Sequence, residues 1–428
     1  MNKRLEHIRH ELIRIDGISP EEKAPKHIKM ASHPFLFFRG SAQLFYADLA
    51  TKTIELPESL FNIPLTTIMG DCHVSNFGFI TEEGCHGDRV IFSPNDFDDA
   101  CIGHACWDLL RFCVSLHLTA SYCEALAADK PIVSSDDVIA AIQAFISSYV
   151  NTCQAAIDNP AIYRTALEQF EHSPLLEKRF NKAKERGFGG KDFLTKSTIA
   201  KFCNLERLSP TFYDNSDKLC EIDNALYTEI EDIFALYMDD SIIDLAQRLN
   251  AGTGSVNMLR YYALVGPKKI THQQDLALCH VVEIKQQRPA APLFYFFDLS
   301  PTNRLNPAHL TVECQRRMQR FPDLVLDEVE WNNTHWLVRS RHHAKVGFDP
   351  EHIGLGKKAV NGGFVDYAAI CGHALALAHC RGDRRSVYFE RAVCDILPEQ
   401  TNTLITVAEN YANQVTTDCG LLRKMLPD

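Results

Sequence analysis

No stretch of the 428 residues approaches the run of about 18 apolar side chains that a membrane span needs. The N-terminus lacks the apolar core of a secretion signal. Met1-Asn2-Lys3-Arg4 leads into L-E-H-I-R-H-E-L-I-R-I, where aliphatic residues recur at the spacing of an amphipathic helix. Basic charge is not in excess: Lys and Arg number 44 against 55 Asp and Glu, a formal net charge of −11. That balance argues against a general nucleic-acid binder, which carries a basic footprint, and leaves room for a local basic pocket. Fifteen cysteines are present, an odd number, and none stands as C-x-x-C. In a chain without a leader they read as buried thiols in a reducing compartment, so a cytoplasmic protein with no membrane partner is expected. Neither a G-x-S-x-G elbow nor H-E-x-x-H occurs, which removes support for a serine hydrolase or a zincin. Cys101, His104 and Cys106 lie close together, near Cys85 and His86. They lack the second well-spaced pair of a zinc site, and zinc is disfavoured.

What is present begins with 46% hydrophobic residues, the composition of a globular chain, and a length sufficient for two or three lobes. The most informative stretch runs from Ile68 to Arg111. It holds G-D-C-H-V-S-N-F-G, then the apolar run Val90-Ile91-Phe92, then N-D-F-D-D-A and W-D-L-L-R. Asp71 and Asn76 stand five residues apart, and Asp96 follows on the far side of the apolar run. An acid, an amide and a second acid on two loops joined by a short strand pair suit phosphoryl transfer. Asp71 would position and deprotonate an acceptor hydroxyl, while Asn76 and Asp96 would hold Mg²⁺, a hard cation that takes oxygen ligands. His73 is either a base or, by hydrogen bonding, the residue that orders the loop. Arg39 is either the partner of a loop carboxylate or a phosphate contact. Asp108 either caps the helix that starts near Trp107 or reaches back to brace the loop.

G-D-C-H-V-S-N resembles the catalytic loop G-D-x-H-x-x-N of aminoglycoside and choline phosphotransferases, which share the protein-kinase fold. N-D-F-D-D-A, with W-D-L after it, is similar to their metal-binding loop and following helix. A more specific resemblance is to an uncharacterised bacterial family, the domain of unknown function 2252. It is carried by F-F-R-G at Phe37–Gly40, D-L-A at Asp48–Ala50, the two loops, W-D-L-L-R, Arg339, Lys345 and the segment Asp366–Asp383. It spans most of the chain except about residues 126–240. It implies no activity beyond what the loops suggest.

A second block starts at Leu249. Gly252 and Gly254 would let backbone amides approach phosphate, and Ser255 adds a donor. The residues after it alternate as a strand, and a further strand, V-V-E-I-K, carries Lys285. This resembles the small lobe of a kinase, whose lysine grips the α- and β-phosphates of ATP. Glu313, on a helix expected over His309–Arg320, is the natural anchor for that lysine. Departures from the kinase pattern are Asn257 in place of a third glycine, Gln286 after the lysine, and H-H-A-K-V-G in a segment usually more acidic. Elsewhere the spacing predicts helices over residues 2–15, Trp107–Leu126, from a Ser135 cap onward, and over 221–248, and a strand over Trp331–Val338. Lys178, Lys182 and Arg186 repeat at helical spacing, as a solvated face or as a flap over an anionic substrate.

In kinases the glycine loop and lysine precede the catalytic loop, and here they follow it. The resemblance therefore implies an α+β, protein-kinase-like, two-lobed fold in circularly permuted order. Residues 1–125 would carry the catalytic loops and 126–245 a helical part or insert. Residues 246–345 would form the nucleotide lobe and 346–428 helices completing the large lobe. The expected activity is ATP- and Mg²⁺-dependent phosphoryl transfer to a hydroxyl of a small-molecule or protein acceptor. A nucleotide-binding pseudokinase, an AMP transferase and a metal-dependent phosphoesterase without a lysine role stay open. The sequence spells neither the acceptor nor an oligomeric state.

Overall fold

The computed structural model describes residues 3–82, 87, 89–206, 208–213, 217–249, 258–382 and 386–427. The fold is a mixed α+β one, with antiparallel sheets set against a helical core. Among the described residues no helix is long and apolar enough to cross a membrane.

The amphipathic N-terminal segment forms a helix over Lys3–Asp16, burying Ile8 and Leu12. The helix expected from Trp107 runs Ala105–Leu126 and is buried from its first residue. The next helix, Ser135–Asp158, is capped by Ser134, one residue earlier than the sequence suggested. Ser134 accepts from the Asp137 N–H while the Asp137 side chain accepts from the Ser134 N–H, a reciprocal capping box. These helices pack with Phe364–Gly382 and the long C-terminal helix Tyr388–Met425 around one large apolar cluster. Phe112 and Phe145 stack with ring centroids 4.2 Å apart at the centre of that cluster. A Cβ on Gly372 would come within 2.2 Å of the Phe145 carbonyl oxygen, so the small residue is what lets the two helices approach.

The largest sheet has six antiparallel strands. Their spatial order is Leu326–Trp331, Thr334–Arg341, His280–Gln286, Arg260–Gly266, Ser241–Arg248 and Leu219–Cys220. Two expectations are corrected here. Residues 221–248 are not helical throughout: the helix stops at Phe234, and Ser241–Arg248 is a strand that buries Leu245 on one face and Ala246 on the other. The helical stripe Ile222, Leu226, Ile230, Ile233 and Leu236 ends before the strand begins. Secondly, Trp331–Val338 is not one strand but the end of one and the start of the next. Asn332 and Asn333 both take positive φ, the conformation of a two-residue hairpin turn. The sheet therefore begins before residue 246.

A second sheet of three strands joins Lys345–Gly347, Phe77–Thr81 and Val90–Pro94. A strand pair, Thr66–Ile68 with Cys101–Gly103, sits beside it in the chain order. The six-stranded sheet buries one face, with Val282, Ile284, Trp336 and Val338, under the helix Asn224–Phe234. Its other face meets the helix Pro307–Met318 through Leu326, Leu337 and Val312, buries Tyr262, Leu264 and Val281 against Phe193 and Ile199, and lines a cleft with Arg260, Lys285, Arg339 and Arg341.

Three segments far apart in sequence are tied by Arg4. Its guanidinium donates to Asp48 (2.7 Å) and to Asp418 (2.9 Å), both carboxylates fully buried, and Tyr411 Oη also donates to Asp48 (2.8 Å). Removing one partner of such a pair leaves uncompensated buried charge. Arg4→Met is expected to lower stability by roughly 3–5 kcal/mol, read as a fall in the urea midpoint at neutral pH. An unchanged midpoint would show that the two aspartates find other compensation.

Candidate active site

The loop after Thr66–Ile68 is built to be rigid. Gly70 has φ of 75°, and a Cβ there would lie 1.9 Å from the Asp99 carbonyl oxygen, so glycine allows the two loops to touch. Asp108 braces this loop, accepting from the backbone N–H of Met69 (2.6 Å) and of Gly70 (3.1 Å), and lies 3.1 Å from His379 Nε2. Tyr46 Oη donates to the Gly70 carbonyl at 2.6 Å. Of the two roles read for Asp108 from the sequence, the brace is the one the contacts support.

Asp71 emerges from this frame with its two oxygens in different settings. Oδ1 accepts from Arg111 Nε at 2.9 Å, and Arg111 is fully buried, its guanidinium 4.1 Å from the centroid of the Phe38 ring. Oδ2 has His73 Nε2 at 3.7 Å and otherwise faces the cleft. Asn76 donates its Nδ2 to the Asp71 carbonyl at 2.8 Å, which leaves Oδ1 as its available atom. His73 is not placed as a base. Its Nδ1 accepts from the Ser75 N–H (3.2 Å), so the ring proton sits on Nε2. Burial, with Arg39 and Arg111 nearby, pushes the imidazole well below its ordinary pKa. It caps the 3₁₀ turn Val74–Asn76 and orders the loop.

The second loop presents three aspartates with separate tasks. Asp99 accepts from the guanidinium of Arg288 (2.8 Å) and from the Ala291 N–H (2.7 Å), tying the loop to the segment after the lysine strand. Asp98 forms an ion pair with Lys285, and Arg339 lies 3.4 Å from its other oxygen. Burial pushes the Asp98 carboxyl up, but Lys285 and Arg339 outweigh it and hold it well below the usual range. No hydrogen-bond donor among the described residues reaches Asp96. Burial and the neighbouring Asp98 charge raise its pKa.

Opposite these loops, strand alternation sets a row of charges on one sheet face. Glu283 and Lys285 share that face, Arg339 pairs in register with Glu283, and Arg260 with Lys285. Glu283, fully buried, holds Arg260 (2.9 Å), Arg339 (2.9 Å) and Arg341 (3.5 Å). Lys285 is 1% exposed, and burial lowers its pKa despite Asp98. Lys345 comes from the three-stranded sheet. Its Nζ donates to the Asn95 carbonyl at 3.2 Å, and burial beside Arg341 pushes it down to about 8.

These residues surround a cleft of about 190 Å³ lined by Arg39, Asp71, His73, Asn76, Asn95, Asp96, Asp98, Asp99, Met258, Arg260, Lys285, Gln287, Arg288, Arg339, Arg341 and Lys345. It brings Asp71, His73, Asn76, Asp96, Lys285 and Arg39 together, as the sequence suggested. Arg39 lies on the side of Asp71 and His73, and among the described residues no carboxylate pairs with it. Glu313 is not in the cleft, which corrects its assignment as the anchor of Lys285. Val312, next to it on the helix, packs on the sheet, so Glu313 is turned outward and pairs with Arg317. Asp98 takes the anchoring role, and Gln287 Nε2 fixes the same loop by donating to the Asp98 carbonyl and to Thr311. Gly252, Gly254 and Ser255, with Asn257, lie outside the described residues, as do Cys85 and His86. The strands that flank the glycine segment are antiparallel neighbours, and Met258 and Arg260, directly after it, line the cleft. Among the described residues Cys101, His104 and Cys106 do not gather. A cluster close enough to share an ion does form at Asp349, Glu351 and His352, where His352 Nδ1 accepts from the Asp349 N–H at the start of a short helix.

Sequence reasoning missed Asp98, Glu283, Arg260, Arg288 and Arg111. The period-two spacing of Glu283 with Lys285, and of Arg339 with Arg341, was the available signal for the sheet face. Glu283 yields a pH prediction. Burial raises its carboxyl, but the three arginines outweigh this and hold it well below 4.5. Its stabilisation is therefore complete above that value and lost as the pH falls below it. Glu283→Gln is expected to cost roughly 3–5 kcal/mol at pH 7 and to flatten the acid limb of the stability profile. A variant as acid-sensitive as the wild type would contradict the clamp.

Curated proteins and solved structures yielded no match to this chain. A family model described as an uncharacterised protein conserved in bacteria (DUF2252) matches residues 19–425. With nearly its whole length inside that match, the chain belongs to the DUF2252 family.

Proposed function

We propose that the protein is an ATP- and magnesium-dependent phosphotransferase acting on a hydroxyl acceptor, on a kinase-like fold in permuted order. The observation that carries this is the pairing of Lys285 with Asp98, 187 residues away in sequence, in one cleft with Asp71, Asn76 and Asp96. A chance lysine on a strand would face solvent or pair elsewhere. This one is buried, faces the cleft and is met by a loop aspartate.

Asn76 and Asp96 fit magnesium. Both offer hard oxygen atoms, the Asp96 carboxylate receives no hydrogen bond among the described residues, and the Asn76 nitrogen is already committed to Asp71. When bound, the ion would offset negative charge on the nucleotide phosphates. Lys285 would bind the inner phosphates once a nucleotide shares it with Asp98. Asp71 would align the acceptor hydroxyl through Oδ2, while Arg111 holds Oδ1 and fixes the side chain. In the transfer, the bond between the terminal phosphorus and its bridging oxygen breaks, and the bond from the acceptor oxygen to phosphorus forms. The acceptor's proton passes to Asp71, and ADP leaves with the bridging electron pair.

Calorimetric titration with Mg-ATP tests the metal assignment. Asp96→Ala is expected to abolish magnesium-dependent nucleotide binding, and unchanged binding in that variant would overturn the role of Asp96. Incubating a bacterial lysate with the protein and ATP labelled in the γ- or α-phosphate tests the chemistry. Transfer of γ-label is expected; transfer of α-label instead would mean AMP transfer. Asp71→Asn is expected to keep nucleotide affinity within about twofold while label transfer falls at least about 100-fold. Its stability is to be measured alongside, because Arg111 loses its anion. Full transfer by Asp71→Asn would sink the mechanism.

A further inference from the structure

We propose that Lys345, which enters the cleft from the three-stranded sheet while Lys285 enters it from the six-stranded one, binds the terminal phosphoryl group of the nucleotide. This rests on the phosphotransferase reading above and assigns a second phosphate-binding cation to the same site.

The two lysines belong to different sheets. Lys285 lies on the six-stranded sheet, in register with Arg260 and Leu337. Lys345 starts the strand Lys345–Gly347, which pairs with Phe77–Thr81. That partner strand begins directly after Asn76, and its other neighbour, Val90–Pro94, ends directly before Asn95 and Asp96. Lys345 is thus carried by the same three-stranded sheet that sets out the two residues assigned to the metal. A nucleotide gripped at its inner phosphates by Lys285 must present its terminal phosphoryl group towards Asp71, Asn76 and Asp96, where the acceptor arrives. Lys345 is the lysine on that side.

The other cations there are committed. Arg111 is fully buried and spent on Asp71. Arg339 and Arg341 are held by Glu283. His73 is neutral and its Nδ1 is occupied. Arg39 lies beside Asp71 and His73, on the side left to the acceptor. The Lys345 ammonium, in contrast, has no carboxylate within ion-pair distance among the described residues. Its hydrogen bond to the Asn95 carbonyl uses one of three N–H groups and aims the rest. A half-buried ammonium with spare donors, which feels the Asp96 charge but makes no ion pair with it, is matched in a cleft that handles phosphate by a phosphoryl oxygen. A merely structural lysine that props the Asn95 loop would have no preference for one nucleotide over another.

The test is the ratio of affinities for Mg-ADP and for a magnesium complex of a non-hydrolysable ATP analogue, measured by calorimetry on the full chain. Lys345→Met is expected to weaken the triphosphate about tenfold or more and the diphosphate no more than about twofold. Lys285→Met should weaken both alike. Lys345→Arg, which keeps the charge and protects against a folding defect, should hold the triphosphate within about threefold of wild type. Loss of both nucleotides equally in Lys345→Met, or of neither, overturns the assignment while leaving the phosphotransferase reading intact. A wild-type protein that binds neither nucleotide brings down that reading and this assignment together.

Discussion

Asp98 meets Lys285 across the cleft, and the geometry of the site follows from that ion pair. One partner sits on a loop braced by the helical core, the other on the third strand of the six-stranded sheet. Around it Arg339 bridges Asp98 to Glu283, Gln287 holds the Asp98 carbonyl, and Arg288 holds the adjacent Asp99. Polar contacts thereby register the sheet on the helical core, beside the apolar contacts of the helix Pro307–Met318, whose Leu310 and Met318 join that core while Val312 packs on the sheet. Such contacts are poor sources of stability, because burying both charges costs solvation that their attraction only partly returns. They are good at specifying position, since a lysine misplaced by one residue would lie on the other face of its strand and leave Asp98 bare.

The same reasoning explains how a chain of net charge −11 contains a cationic cleft. Overall charge describes the surface as a whole and its solubility, whereas a site depends on which charges one sheet face gathers. Here strand alternation places Arg260, Lys285, Arg339 and Arg341 around one glutamate. Glu283 makes that arrangement tolerable: without an anion among them, three guanidiniums and an ammonium would repel each other in a region of weak solvent screening. Seven Lys and Arg side chains line the cleft against four aspartates.

Much of this was legible before any coordinates. The two loops, the buried helix behind them and the lysine strand each carry a local signal: short polar spacings, a 3.6-residue stripe, alternation ending in lysine. What failed was non-local or fell at boundaries. Glu313 is the carboxylate that chain order offers to Lys285, on the helix that follows its strand. Which helix face meets the sheet is decided by Val312 and its packing on Leu326 and Leu337, and spacing in sequence does not reveal that. The helical stripe of residues 222–236 holds no residue of Ser241–Arg248, and a helix extended to 248 overruns its own signal. A two-residue asparagine turn was hidden inside what looked like one strand. Asp98 was overlooked because its neighbour Asp96 satisfied the pattern first.

The two aspartates of D-F-D illustrate how position divides identical chemistry. One residue apart from each other, Phe97 turns inward to the core and the two carboxylates both reach the cleft, yet they experience opposite fields. Asp98 is flanked by Lys285 and Arg339 and is driven fully to its anionic form. Asp96 receives no hydrogen bond among the described residues, feels the Asp98 charge, and is held towards its neutral form by burial. A carboxylate in that state is poorly satisfied by the protein alone. A cation is the kind of partner that would satisfy it, and Asn76 supplies a further oxygen on the adjoining loop. The two aspartates thus differ in their charged neighbours: Lys285 and Arg339 dominate at Asp98, whereas at Asp96 burial and the Asp98 charge outweigh the pull of Lys345.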